Sequence, residues 1–274
     1  MFSKIRDYFF TQKIQTLSSV KLDESLLNNV INENRSIQKR IDNWVDENAF
    51  KKSCFNYGVP SFIQVVLNKE LNDDPTYTDI MKSLSYKHYS ILRYLEIGVS
   101  VGKNFHQMMN INLPAKLVGF DIEEINPILE KELEFVNMES WSTPKKSIKK
   151  TDSSLKNYKL GSKSAHYLNA DVWDENSWKK LAGTKFNLIF SDALHTPEAI
   201  LFEFEMLVKY DLLDAKFIIV WDDLVGKMKN SFFRIIKKYD KTFGIEDIYF
   251  LSINGWVGQH ENPHSVGIIS NFKL

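Results

Sequence analysis

Tyr94-Leu95-Glu96-Ile97-Gly98-Val99-Ser100-Val101-Gly102-Lys103-Asn104 is the stretch on which the reading of this chain turns. An apolar run, 94–97, enters a turn that holds Gly98 and Gly102, and helix-forming residues follow. Glycine lets a backbone approach a ligand closely, and a helix N-terminus offers N–H groups with no internal partner. Glu96, two residues before the first glycine, adds a second feature. A pyrophosphate-cradling turn would not call for a carboxylate there, whereas a cationic amino-acid group tolerates or uses one. Glu96, Gly98, Ser100, Gly102 and Asn104 are therefore candidate ligand contacts.

Downstream the pattern repeats. Short apolar runs at 117–120, 166–169, 186–190 and 217–221 end near Gly or Asp, and each is followed by a helix-like stretch. Such runs, separated by amphipathic segments, predict parallel strands buried on both faces. Two further runs, 248–253 and 266–270, flank a Gly/Asn/Pro-rich connection and predict a terminal β-hairpin. The expected fold class is α/β, with a Rossmann-like sheet of seven strands. Thr196-Pro197 reads as a helix start, with an N-cap hydroxyl and proline at the first helical position. That helix places Ile200, Leu201, Phe204, Leu207 and Val208 on one stripe. Asp121, 23 residues beyond Gly98 and followed by Ile122, is placed to accept both hydroxyls of a ribose. Asp171, with Val172, is placed to accept from an adenine amino group. A helix N-cap is the competing structural role for both aspartates.

Upstream, residues 1–88 show helical spacing and no convincing strand. Leu26, Val30, Ile37, Ile41 and Val45 recur at helical intervals, 72–75 reads as a turn, and 77–89 as another helix. The expected organisation is a helical N-terminal extension, 1–88, followed by a ligand-binding domain, 89–274. One connection, 123–165, is far longer than an ordinary crossover. Its second half, 143–164, holds seven lysines and a single acidic residue, Asp152. That composition predicts a solvated, mobile insertion at about 142–164, or a lid that clamps an anionic substrate.

Lysine plus arginine, 35, equals aspartate plus glutamate, 35, so net charge points to neither nucleic acid nor a membrane surface. Cys54 is the only cysteine, which excludes an intrachain disulfide and fits a reducing, cytoplasmic setting. Lys4, Arg6 and Asp7 interrupt the N-terminal apolar residues, and no apolar run reaches the roughly 18 residues of a membrane span. His260-Glu261-Asn262-Pro263-His264 matches H-E-x-x-H literally. Pro263 would break the helix that a zinc protease needs, so the motif is read as a loop beside the substrate mouth, with its histidines and Trp256 as candidate acceptor contacts.

LEIGVSVGKNF (95–105), VGFDIEE (118–124), LNADVWDENSW (168–178) and FNLIFSDALHTPEAI (186–200) resemble, in order and spacing, the successive motifs of class I methyltransferases. The blocks Ser191-Asp192-Ala193-Leu194-His195 and Val220-Trp221-Asp222-Asp223 resemble a metal-dependent subset. That subset includes the macrocin and mycinamicin sugar O-methyltransferases, the cephalosporin-hydroxylase-like proteins and, more distantly, catechol O-methyltransferase. The resemblance covers 91–225 well, the terminal hairpin weakly and the N-terminal part not at all. It implies S-adenosylmethionine as cofactor, held by the residues named above together with Ser191. It also implies Mg²⁺ on Asp192, Asp222 and Asp223, with His195 and Asp192 at the catalytic position.

Three departures stand out. Ser100 replaces a middle glycine, Ser191 replaces an acidic residue before Asp192, and 211–215 replace a Pro-Gly-Gly turn. The chemistry is consistent with the resemblance. Carboxylate oxygens suit a hard cation that lowers the pKa of a substrate hydroxyl. An imidazole of ordinary pKa takes a proton at neutral pH. The expected partner is a small hydroxylated acceptor, a sugar or natural-product intermediate, anionic if the insertion clamps it, with homo-oligomers through the N-terminal helices an option. The competing expectations are a metal-independent methyltransferase acting on RNA or protein, a non-catalytic cofactor-binding protein and, disfavoured by the first glycine turn, a nicotinamide oxidoreductase.

Overall fold

The computed structural model describes residues 20, 22–41, 44, 71–143, 152–255 and 264–274. Two helices come first, α1 (Glu24–Gln38) and α2 (Tyr77–His88). Then follow β1 (Leu92–Ile97), α3 (Lys103–Met109), β2 (Ala115–Asp121), α4 (Pro127–Glu130), β3 (Glu134–Ser142), β4 (Asp152–Leu160) and β5 (Lys163–Asn169). The chain continues through α5 (Glu175–Lys179), β6 (Phe186–Ser191), α6 (Pro197–Lys209), β7 (Leu213–Trp221), α7 (Lys227–Phe243), β8 (Asp247–Ile253) and β9 (His264–Ser270).

All nine described strands join one sheet, in the order β3-β4-β5-β2-β1-β6-β7-β9-β8. The middle five, β5-β2-β1-β6-β7, are parallel, and β9 and β8 add an antiparallel pair at one edge. This is the α/β sheet with a terminal hairpin that the sequence predicts. The continuous apolar runs follow from burial on both faces. Leu92 and Tyr94 of β1 pack in one core with Ile80, Met81, Leu84, Phe105 and Leu117. Leu95 and Ile97 pack in the opposite core with Phe120, Ile189, Phe204, Trp221 and Phe232.

The sheet has nine strands, not seven, because the lysine-rich insertion is part of it. β3 and β4 form an antiparallel hairpin that pairs with β5 along 154–160. The expectation of a mobile insertion at 142–164 is therefore corrected for the described part; 144–151 lie outside the described residues. Tyr158 and Ser154 are buried, and Gly161 turns into β5 with φ of 59°. Two lysines of the insertion, Lys156 and Lys163, find partners. Lys156 pairs with Glu124 at 3.1 Å and Glu130 at 3.4 Å. Lys163 donates to the Met109 carbonyl at 3.0 Å, at the C-terminal end of α3 where a cation is favoured. Composition alone could not show these partners.

The expected boundary near residue 88 does not separate two cores. Tyr77, Ile80, Met81 and Leu84 of α2 belong to the core that also holds β1 and β2. α2 starts with a capping box, in which the Thr76 hydroxyl accepts from the Asp79 N–H and Asp79 accepts from the Thr76 N–H. The same Asp79 pairs with Arg35 of α1 at 2.9 Å, fastening the two helices through a buried ion pair. Val45, Cys54, Trp256 and 260–263 of the H-E-x-x-H stretch lie outside the described residues. His264 begins a strand.

Candidate active site

The site lies at the C-terminal ends of β1, β2, β6 and β7, where open α/β sheets bind ligands. The turn after β1 is built by three positive φ values: 86° at Gly98, 52° at Ser100 and 84° at Gly102. Ser100 thus adopts the left-handed conformation that favours glycine, which accounts for the glycine at that place in the resembling family. A Cβ on Gly98 would stand 2.4 Å from the Asp192 carbonyl carbon, so only glycine lets the turn lie against the end of β6. The glycine turn and the acidic cluster are consequently one site.

Asp121 closes the turn from β2. Its Oδ2 accepts from the Val99 N–H at 2.6 Å and the Ser100 N–H at 2.7 Å, and its Oδ1 from the Glu123 N–H at 2.8 Å. Burial raises its pKa against the pull of those N–H donors. Glu96 is buried on the same face as Tyr94. Its Oε2 accepts from the Tyr94 hydroxyl at 2.7 Å and from the Asn104 amide at 2.9 Å. Burial pushes its pKa well above the ordinary carboxyl range. A buried carboxyl carrying that penalty suits a cationic ligand, whose charge would offset it. Asn104 is also held by the Thr78 hydroxyl at 2.6 Å, which ties α2 to the turn.

The remaining cofactor candidates are placed less directly. Asp171 accepts from the Trp173 N–H at 2.9 Å in a local turn, and the Val172 carbonyl accepts from Trp178 Nε1 at 2.7 Å. The Ile122 carbonyl accepts from Asn169 Nδ2 at 3.0 Å. The Ser191 hydroxyl has its proton engaged. It donates to Glu203 Oε2 at 2.6 Å.

Asp192, Asp222, Asp223 and His195 converge. His195 Nε2 lies 3.0 Å from Asp192 Oδ1, and its Nδ1 lies 3.1 Å from Asp223 Oδ2. The Asp223 N–H donates to Asp222 Oδ1 at 2.7 Å, and Asp223 has a φ of 51°, a conformation a non-glycine residue seldom takes. Burial, then the Asp222 charge, pushes Asp192 up to about 7. The hydrogen bond to Asp192 pushes His195 up to about 9. The sequence expectation of an ordinary His195 pKa is corrected: between two carboxylates the imidazole holds its proton at neutral pH. Charge neutralisation at those carboxylates is what would free it to act as a base.

Two further residues join the site: Glu203, which the sequence reading misses, and His264, which it places beside the substrate mouth but not against the aspartates. Glu203, on the buried stripe of α6, stands behind Ser191 and is pushed up to about 8 by burial. It supplies a carboxyl close to where the resembling family has an acidic residue in place of Ser191. His264 Nδ1 lies 2.6 Å from Asp222 Oδ2 and 3.4 Å from Asp223 Oδ1. Burial works to lower its pKa, but the bonds and charges of Asp222 and Asp223 outweigh it and hold it at about 10. His264 comes from an element distant in sequence, and Glu203 from the apolar helix that follows β6, so no local motif pairs either with the acidic cluster.

No protein-family model matches the chain, and no curated protein matches its sequence. Among solved structures, an O-methyltransferase from Bacillus cereus in complex with S-adenosylhomocysteine is 12% identical, with 92% of this chain and 93% of that chain covered and a TM-score of 0.47. The O-methyltransferase TomG from Streptomyces achromogenes, involved in tomaymycin synthesis and in complex with S-adenosylmethionine, is 14% identical, with 92% of each chain covered and a TM-score of 0.44. An rRNA methylase from Streptococcus thermophilus is 11% identical, with 70% of this chain and 92% of that chain covered and a TM-score of 0.41. At such scores the likeness carries no argument about what this chain does.

Proposed function

We propose that the chain is an S-adenosylmethionine-dependent methyltransferase that methylates a hydroxyl of a small acceptor, assisted by a divalent cation. The observation that carries this reading is the contact between the two halves of the site. Gly98 of the cofactor turn lies against the backbone of Asp192, which belongs to the acidic cluster. Glu96 would hold the amino group of the cofactor's methionyl part, and Asp121 would turn to the ribose hydroxyls. S-adenosylmethionine, when bound, would supply an electrophilic methyl on a sulfonium whose sulfur would keep the C–S electron pair on transfer to the acceptor oxygen. A divalent cation, Mg²⁺ by the family resemblance, would supply a lowered hydroxyl pKa when held at Asp222 and Asp223, beside Asp192. His195, once a cation offsets the charge of Asp223 that helps hold its proton, would receive the hydroxyl proton.

The test pairs binding with transfer. S-adenosylhomocysteine is expected to raise the melting temperature, and NAD is not. Methyl-labelled S-adenosylmethionine is expected to mark hydroxylated acceptors, with transfer lost in EDTA and restored by added cation. A preference for NAD overturns the methyltransferase reading. Full transfer in EDTA overturns the cation alone and favours the metal-independent alternative.

A further inference from the structure

We infer that His264 completes the cation site, so that the metal rests on Asp222, Asp223 and an imidazole nitrogen, and that the site selects a transition cation of the Mn²⁺ or Zn²⁺ class over Mg²⁺. The inference deepens the cation part of the reading above and can be tested apart from the cofactor part.

Asp222, Asp223 and His264 each present one ligand atom, and these atoms all lie within 4.8 Å of one another. Asp192 is not in that group; its Oδ1 pairs with His195 Nε2 at 3.0 Å. The three carboxylates implied by resemblance are thus split. Asp222 and Asp223 meet His264 of β9, while His195 bridges Asp223 and Asp192.

The His264 ring is fixed from its other side. It begins β9 directly opposite Ile253 of β8. A Cβ on Gly255 would stand 2.7 Å from its Nε2, so glycine is what allows the ring to lie there. The Tyr77 ring of α2 meets it edge-on, with centroids 5.9 Å apart. With the backbone of Gly255 beside Nε2, Nδ1 is directed at the aspartates. Three elements place this nitrogen, which a surface histidine paired with a carboxylate would not need. The second histidine of the H-E-x-x-H stretch therefore has a role, though not the helical one the motif suggests.

Chemistry gives the selectivity. Mg²⁺ favours an all-oxygen shell and dehydrates reluctantly, whereas imidazole nitrogen binds divalent transition ions more strongly. One nitrogen and two carboxylates leave positions open for water or an acceptor hydroxyl.

The experiment uses the full chain, stripped with EDTA and titrated with Mn²⁺ while the free-ion paramagnetic signal is followed. Mg²⁺ and Zn²⁺ are run as competitors. Mn²⁺ is expected to bind at least about tenfold more tightly than Mg²⁺, and His264→Ala to close that gap. Asp192→Asn is expected to leave Mn²⁺ affinity nearly unchanged. Pulsed paramagnetic resonance of bound Mn²⁺ should show coupling to an imidazole ¹⁴N in the native chain and in His195→Ala. Should His264→Ala fail to fold, the His195→Ala spectrum alone decides. Coupling to water protons only, equal affinity for Mg²⁺, or loss of binding in Asp192→Asn overturns the inference. Stabilisation by S-adenosylhomocysteine, read in the same samples, reports on the methyltransferase reading separately. Either result can fail while the other stands.

Discussion

Glu203 sits between Phe202 and Phe204 in an apolar helix, and nothing in its sequence neighbourhood distinguishes it from a misplaced surface residue. Its burial next to Ser191 gives it a measurable signature. The folded chain holds the Glu203 proton up to about pH 8, while an unfolded glutamate releases it near 4.5. Between those values the folded state binds the extra proton, so stability contributed here falls as pH rises. Glu203→Gln removes that dependence and keeps an oxygen for the Ser191 bond. The variant should therefore gain in melting temperature relative to the native chain from about pH 5 to about pH 8. A constant offset across that range would show that Glu203 is ionised in the folded chain. His195 makes a different prediction. Its replacement by alanine should leave S-adenosylhomocysteine stabilisation intact and slow methyl transfer by about 10²–10⁴-fold, as expected for a lost general base. Loss of cofactor binding instead would make it a structural residue. Asp192, Asp222 and Asp223 were legible because each stands just past an apolar run. Glu203 was not, and for His264 only a place near the substrate mouth was legible, because tertiary packing alone sets it against Asp222 and Asp223.

At the scale of elements, strands buried on both faces announced themselves, and the half-exposed hairpin did not. β1, β6 and β7 are apolar runs because helices cover them on either side. β4 reads Asp-Ser-Ser-Leu-Lys-Asn-Tyr-Lys-Leu, with only Leu155, Tyr158 and Leu160 apolar, so its composition suggested solvent. The exposed edge strand β3 carries Phe135 at 57% and Met138 at 54% exposure, against the usual alternation. The hairpin's anchor is Tyr158, buried at 2% exposure, and its hydroxyl donates to Glu130. Tyr158→Ala should therefore cost about 3–5 kcal/mol in denaturant unfolding, in the range of other large-to-small aromatic truncations. Phe135→Ala should stay within about 0.5 kcal/mol. Equal and small effects would mean the hairpin does not share the sheet's cooperativity. The N-terminal helices show the converse. Their helical spacing was legible, but their integration through Asp79 and the α2 core residues was not, since periodicity shows that a face is buried without showing against what.

For the molecule as a whole, the crevice at the strand ends is both the ligand site and a point where the fold is held together, and Asp121 serves both. It accepts three backbone N–H bonds that keep the glycine turn closed, and the proposed function asks it to release at least one lone pair to a ribose. The two roles respond differently to substitution. Asp121→Ala leaves three N–H groups without their acceptor, at roughly 1–3 kcal/mol for each that stays buried. The ligand-free melting temperature should drop accordingly. Asp121→Asn keeps an amide oxygen for part of this bonding, so it should lose less. Ligand stabilisation should sort otherwise. At about one hundred times its Kd, a ligand confined to the folded state adds roughly 2.7 kcal/mol. In a chain of this length that corresponds to about 5–10 °C, from roughly 2–4 °C per kcal/mol. S-adenosylhomocysteine should give the native chain a shift of that size at saturation. Both variants should give clearly less at the same concentration, because neither offers a carboxylate to two hydroxyls. If Asp121→Asn keeps the full shift, the residue only ties the turn and the ribose is held elsewhere. If both variants lose ligand-free stability equally and keep the shift, Asp121 is structural throughout, and the cofactor assignment would then rest on Glu96 and the glycine turn.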